Sequence, residues 1–144
     1  MTLKKLEEFG ITLKNLVEAG MALYIGSEEE EKEVKKNLEK IILKQLSNPN
    51  VSTLIIAAIL LDREGKNGKL PFNYSDDPNY VYADEVIGLA IANEIAGTKA
   101  IFNFRFYDGK KPGIIGKLDK EGYMFLDDAI AGLLAGCMSK VFEV

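Results

Sequence analysis

Two pairs of adjacent acidic residues open two helical patterns in the second half of the chain. Asp84 and Glu85 precede one pattern, and Asp127 and Asp128 precede the other. From the second acid of each pair, small residues recur on one helical face. They are Gly88, Ala92 and Ala96 in the first pattern, and Ala131, Gly132, Ala135 and Gly136 in the second. Such rows let another backbone approach closely, so helices packed through them with their starts together would bring three or four carboxylates into one place.

Convergent carboxylates predict a site for a hard divalent cation. Carboxylates held together repel one another and are costly to desolvate, and Mg²⁺ or Mn²⁺ removes that cost. The alternative is structural: Asp84 and Asp127 would be helix N-caps, and their acidic neighbours Glu85 and Asp128 would favour the positive end of the helix dipole. The acidic pairs leave both interpretations open.

Basic groups lie between the two acidic pairs, in the stretch FRFYDGKKPGIIGKLD at residues 104–119. Arg105 can hold a phosphate through two parallel hydrogen bonds, and Lys111 supplies a point charge. Asp108 is a further candidate metal ligand, and Pro112 can begin a short helix whose free N–H groups favour an anion. A metal site beside a basic clamp predicts hydrolysis of a phosphate ester. The metal would activate a water molecule, and the basic groups would stabilise the phosphoryl group.

The hydrophobic pattern predicts an all-α protein, with residues 1–144 forming a single multihelical domain. Helices are expected at about residues 2–9, 13–25, 27–46, 49–64, 81–97 and 125–140. Residues 99–107 fit either a helix or a strand. The apolar run at 51–61 predicts that helix 49–64 is the central, most buried element, surrounded by the others. Residues 65–80 form the one long loop, either a functional segment or a connector.

Composition removes several classes of function. The net charge is −4, which argues against a nucleic-acid partner. The chain has no histidine, so serine–histidine and cysteine–histidine nucleophiles and histidine metal sites are excluded. The single cysteine, Cys137, permits no internal disulfide and begins no Cys-x5-Arg phosphatase loop. The sequence predicts neither a signal peptide nor an integral membrane segment, so we expect a cytoplasmic location.

Three segments together resemble the phosphatidylglycerophosphatase A superfamily. They are ADEVIGLAIANEIAGT, FRFYDGKKPGIIGKLD and MFLDDAIAGLLAG, and they cover about residues 80–140. They carry in order an acidic helix start, F-R-x-x-D-x-x-K-P ending in Asp, and D-D-x-x-A-G. The resemblance implies an all-helical, Mg²⁺-dependent phosphatase. The metal ligands that the resemblance implies are Glu85, Asp108, Asp127 and Asp128. The phosphate-binding residues that it implies are Arg105 and Lys111. The candidate catalytic residues are Asp127, Asp128, Lys111 and Arg105. Asp84 and Asp119 fall within the motifs without an assigned role.

The N-terminal half separates this chain from membrane-bound members of that superfamily, which carry spanning segments and a glycine-rich N-terminal loop. The stretches EEFGIT and NPNVSTLIIAAILLDREGKNGKLP look more like the small soluble branch, which includes archaeal α-ribazole phosphatases of cobalamin biosynthesis. We therefore expect a small-molecule phosphate ester, α-ribazole 5′-phosphate, as the substrate. Two alternatives stay open: a phosphatidylglycerophosphate phosphatase that docks peripherally on membranes, and a non-catalytic metal- or ligand-binding helical module. The sequence also leaves a homo-oligomer open.

Overall fold

Helices make up most of the computed structural model, which describes residues 1–143 and contains no β-strand within them. The helices are α1 (Thr2–Glu7), α2 (Leu13–Met21), α3 (Glu28–Leu46), α4 (Pro49–Lys66), α5 (Ala83–Ala96), α6 (Thr98–Lys110), α7 (Ile114–Lys120) and α8 (Leu126–Val141), with a short 3₁₀ turn at Tyr74–Asp76. The predicted all-helical class is confirmed. Residues 99–107 belong to α6, because its buried side chains Ala100, Phe104 and Tyr107 recur at helical spacing.

The central helix is α8, so the prediction that helix 49–64 is the most buried element is wrong. Every residue of α8 from Leu126 to Met138 is buried, and the helix packs against α2, α3, α4, α5, α6 and α7. In α4, buried residues such as Ile55 and Ile59 lie on one face, while Leu60 remains 44% exposed. The small residues of α8 let neighbours approach on every side, whereas α4 packs against α3, α5 and α8 and leaves part of its surface exposed. In the described part of the chain, no helix has the length and hydrophobicity to cross a bilayer.

Helices α5 and α8 run parallel and touch through their small residues. A Cβ atom on Gly132 would lie 2.1 Å from the carbonyl oxygen of Gly88, and one on Gly136 would lie 2.8 Å from Cβ of Ile95. The contacts therefore advance in the same direction along both helices. A Cβ atom on Gly88 would also lie 2.6 Å from the carbonyl oxygen of Asp128. Gly88 and Gly132 therefore face each other, and the acidic starts of α5 and α8 lie together, which is the arrangement that the sequence left open.

The N-cap interpretation of the acidic pairs is wrong. The N-cap residues are Tyr82 for α5 and Phe125 for α8, and neither makes a side-chain capping hydrogen bond. Asp84 and Asp127 both lie inside the first turn of their helices. Their carboxylates are thus available for interactions between the helices.

Candidate functional site

Carboxylates from α6 and α8 surround the ammonium group of Lys111. Its Nζ atom lies 2.9 Å from Oδ2 of Asp127, 3.2 Å from Oδ1 of Asp108 and 3.9 Å from Oδ1 of Asp128. Asp127 and Asp128 are each 3% exposed. Three acids and one base thus meet where the end of α6 approaches the start of α8; Asp127 and Asp128 are buried, and Asp108 and Lys111 are partly exposed.

The backbone at the end of α6 turns sharply to aim Lys111 at this cluster. Lys111 is the C-cap residue and adopts a left-handed conformation with φ of 46°. This conformation costs a non-glycine residue about 1 kcal/mol. The following residues support it: Gly113 also has a positive φ, 56°, and a Cβ atom on Gly116 would lie 2.6 Å from the carbonyl oxygen of Lys111. Strain of this kind is typical of functional positions.

The pKa values of the buried groups follow from burial and from their neighbours. Burial raises the pKa of Asp128, and the neighbouring carboxyl groups of Asp108, Asp127 and Asp84 raise it further. Burial also raises the pKa of Asp127, against the attraction of Lys111. Burial lowers the pKa of Lys111, but the carboxylates of Asp127 and Asp108 outweigh it, so the net shift is upward. The ammonium group therefore stays charged across the physiological range.

Two carboxylate oxygens, one in this cluster and one on the neighbouring Asp84, are buried and have no hydrogen-bond partner among residues 1–143. They are Oδ1 of Asp84 and Oδ1 of Asp127. Most buried polar atoms in proteins are hydrogen-bonded, so such atoms call for an explanation. An excess of buried carboxylate oxygens suits a bound cation, because carboxylates are the ligands that Mg²⁺ and Mn²⁺ prefer.

The residues fit a divalent cation in their chemistry, although Lys111 occupies the centre of the cluster. Within the described chain, no three acidic or thiol side chains stand close enough together to hold a metal ion as they are placed. The ammonium group of Lys111 makes the ion pairs there instead. The unpartnered oxygens of Asp84 and Asp127 are the observation in favour of a cation.

Further acids lie at the edge of the cluster. Burial raises the pKa of Glu85, and repulsion from Asp108 and then Asp84 adds to it. Burial likewise raises the pKa of Asp77, with repulsion from Asp84 and then Asp119. Asp77 was not predicted from the sequence; the turn-rich composition of the long loop was the only signal. Asp119, unassigned from the sequence, thus lies on the same side of the molecule.

Two features predicted to bind phosphate, Arg105 and the helix expected from Pro112, take no part in the ion pairs around Lys111. Arg105 is exposed, and its guanidinium group lies 4.9 Å from the ring centre of Phe106. It makes no ion pair within the described residues, so its phosphate role stays a prediction. The helix expected from Pro112 begins at Ile114, because Gly113 is not helical.

Two clefts meet at Asp119 beside the cluster. One, of about 550 Å³, is lined by Lys111 and three further lysines, Lys110, Lys117 and Lys120. The other, of about 420 Å³, has an aromatic and mostly acidic lining that includes Tyr74, Tyr123, Asp77, Asp119, Glu121 and one base, Lys66 at the end of α4. In this second cleft, the Lys66 ammonium group lies 3.5 Å above the Tyr123 ring.

Comparisons with known proteins cover nearly the whole chain. An 80% identical relative, an uncharacterized protein of Methanocaldococcus jannaschii, aligns over 127 residues, which are 88% of this chain and 100% of the relative. A solved Bacillus stearothermophilus protein of unknown function has a TM-score of 0.81 at 26% identity and covers 97% of this chain and 94% of its own. The low temperature requirement C protein of Listeria monocytogenes has a TM-score of 0.80 at 24% identity, covering 96% and 91%, and shows the fold alone.

The family assignment rests on a match beyond the acidic and basic motifs. The model of the family described as phosphatidylglycerophosphatase A matches residues 12–143, which includes α2, α3 and α4 as well as the site. The chain therefore belongs to the phosphatidylglycerophosphatase A family.

Proposed function

We propose that this protein is a metal-dependent phosphomonoesterase whose active site is the cluster around Lys111. The observation that carries the proposal is that Asp84 and Asp127 each have a buried, unpartnered carboxylate oxygen, and that Asp127 is paired with the charged Lys111. Membership of the phosphatidylglycerophosphatase A family supports hydrolysis of a phosphate ester. A site that offers spare carboxylate oxygens and a fixed ammonium group is suited to a metal-bound phosphate.

The proposed metal ligands are the carboxylates of Glu85, Asp108, Asp127 and Asp128, which would hold Mg²⁺ or Mn²⁺. When bound, such an ion neutralises the carboxylates, polarises a phosphoryl oxygen and lowers the pKa of a bound water molecule. The upward pKa shift of Lys111 keeps its ammonium group charged, so Lys111 can donate hydrogen bonds to phosphate oxygens.

The two clefts beside the cluster support a small, polar organic group on the substrate. The lysine-lined cleft adds positive charge next to Lys111, as an anionic ester requires. The second cleft has the size typical of small-molecule sites, which start at about 300 Å³, and its largely polar lining suits a polar organic group better than acyl chains. Together with the resemblance of the N-terminal half to the small soluble branch, this makes α-ribazole 5′-phosphate, in cobalamin biosynthesis, our substrate candidate.

A panel of phosphate esters tests this proposal. Phosphate release would be measured for α-ribazole 5′-phosphate, ribose 5-phosphate and micellar phosphatidylglycerophosphate, with Mg²⁺, with Mn²⁺ and with a chelator. We expect release that depends on the divalent ion and is fastest for α-ribazole 5′-phosphate. Rapid hydrolysis of all three with the chelator present would exclude the metal, and no release under any condition would favour a non-catalytic binding module.

A second candidate substrate, phosphatidylglycerophosphate, is supported by exposed apolar residues beside the acidic start of α5. Tyr80, Tyr82 and Val86 are 73%, 67% and 52% exposed. Tyrosines are common where proteins meet the membrane interface. If these residues dock on lipid, the protein should sediment with vesicles containing phosphatidylglycerol at low salt, and Tyr80→Ser with Tyr82→Ser should abolish sedimentation. A wild-type protein that stays in the supernatant would exclude this candidate.

A further inference from the structure

The start of α8 is held by a side chain from α4 and not by one of its own. Asp62 is 2% exposed, and its Oδ1 and Oδ2 atoms accept the backbone N–H groups of Phe125 and Leu126, each at 2.8 Å. Helix starts leave such N–H groups unpaired unless a cap or another group satisfies them. The Phe125 cap position of α8 offers no side-chain acceptor. Asp62 therefore replaces the missing cap from outside the helix.

Tyr74 extends this contact to the long loop. Its hydroxyl group donates to Oδ1 of Asp62 and accepts the N–H of Met124 at 3.1 Å. The ring is packed tightly, because a Cβ atom on Gly65 would lie 2.1 Å from it. Three residues after Tyr74, the loop carries Asp77 to the edge of the acidic cluster. One buried carboxylate thus joins α4, the long loop and the first turn of α8.

We infer that Asp62 is a positioning residue for the acidic cluster. Its two backbone hydrogen bonds end at Leu126, and the next two residues in the chain are Asp127 and Asp128. Any movement of that first turn moves both carboxylates relative to Lys111. Displacements of about 1 Å in a catalytic constellation reduce rates by about 100-fold. The catalytic consequence rests on the proposed function, whereas the hydrogen bonding can be measured without it.

The test compares Asp62→Asn with Asp76→Asn. The asparagine keeps the shape of the side chain but offers one acceptor oxygen, so one of the two backbone hydrogen bonds is lost. Asp76 is an exposed residue of the short 3₁₀ turn that carries Tyr74, so Asp76→Asn removes one carboxylate without touching the buried hydrogen bonds of Asp62. We expect amide exchange at Phe125 or Leu126 to be at least about tenfold faster in Asp62→Asn and unchanged in Asp76→Asn. Wild-type exchange in Asp62→Asn would overturn the inference.

Activity separates positioning from simple stabilisation. Well below the melting temperature of each variant, Asp62→Asn should lower kcat about tenfold or more with KM within about twofold, the pattern expected when transition-state interactions are lost. A lower melting temperature with unchanged kcat would reduce Asp62 to a structural role and contradict the inference.

A second variant protects the test against failure to fold. Tyr74→Phe keeps the ring against Gly65 and removes only the hydroxyl group, so Met124 should exchange faster and kcat should fall by a smaller factor than in Asp62→Asn. Wild-type values for both would overturn the inference. If the wild-type protein released no phosphate at all, the proposed function would fail alone, and the exchange rates would still decide whether Asp62 holds the start of α8.

Discussion

Replacing Gly132 with alanine should separate α5 from α8 and impair the site. A Cβ atom at this position would lie 2.1 Å from the carbonyl oxygen of Gly88. The clashing atom belongs to the backbone, so no side-chain rotation relieves the contact. Because real Cβ atoms essentially never lie closer than 3.0 Å to such an atom, the two helices must move apart by about 1 Å.

The expected loss of stability follows from two opposing effects. Overpacking a well-packed core costs about 1–3 kcal/mol, and a rigid backbone contact belongs at the upper end of that range. Alanine recovers about 1 kcal/mol through its higher helix propensity. The net destabilisation is about 2 kcal/mol. For a chain of 144 residues, an unfolding entropy of about 0.3 kcal/mol/K makes this a drop of about 7 °C in the melting temperature.

The loss of activity has a separate cause. The Gly88–Gly132 contact sets the distance between the acidic starts of the two helices, so a shift of about 1 Å should reduce phosphate release by up to about 100-fold at temperatures where the variant is folded. Thermal unfolding by circular dichroism and initial rates at saturating Mg²⁺ would measure both effects on the same preparation.

The matched control is Gly109→Ala. Gly109 is an exposed residue of α6, and a Cβ atom there meets nothing within 4 Å. This substitution should raise stability by about 0.5–1 kcal/mol, since it removes the entropic penalty of a helical glycine. If Gly132→Ala melted as high as Gly109→Ala and kept its activity, the close approach of α5 and α8 would be refuted.

Three shorter predictions concern charge and buried hydrogen bonds. Lys111→Met should abolish activity. Without divalent ions it should also lower the free energy of unfolding by about 1–3 kcal/mol, which is less than the loss expected on breaking a fully buried ion pair. Lys110→Met is the control, and its stability in thermal melting should stay within about 0.5 kcal/mol of wild type. Because the pKa values of Asp127 and Asp128 are raised in the folded state, that state binds more protons than the unfolded chain above about pH 4. The free energy of unfolding in urea without divalent ions should therefore fall as the pH rises from about 4 toward 8, and Mg²⁺ should oppose that fall; stability that rises with pH in the absence of Mg²⁺ would contradict this sign. Tyr107→Phe removes a buried hydroxyl group that donates to a carbonyl oxygen of α2 at 2.7 Å, and it should lower stability by about 1–2 kcal/mol in the same urea assay with no change in activity.

The sequence predicts the parts of the fold that depend on local pattern. The small residues Gly88 and Gly132 lie at whole helical turns from acidic residues, so their common face could be read directly from the spacing. The helical state of residues 99–107 could not, because Phe102, Phe104 and Phe106 alternate like a strand while the pair Phe102 and Phe106 also fits a helix.

Burial and long-range contacts were less accessible from the sequence. The apolar run of α4 is as hydrophobic as a central helix, yet Leu60 remains half exposed, because burial depends on how many neighbours a helix can admit. Asp62 follows that apolar run in a charged stretch that is typical of an exposed helix end. Its hydrogen-bond partner at the start of α8, the N–H group of Phe125, is seen only once α8 is placed against α4. The ion pair between Lys111 and Asp127 joins the C-cap of α6 to the first turn of α8, and no local spacing encodes it.

The most direct test of the proposed site is phosphate release by wild type, Asp127→Asn and Asp128→Asn, each with and without Mg²⁺. Amide side chains keep the shape of the cluster and remove the negative charge that a metal requires. We predict that wild type releases phosphate only with Mg²⁺, and that both variants remain folded by circular dichroism and release none. Mg²⁺-dependent release at the wild-type rate by both folded variants would contradict the assignment of the cluster as the active site.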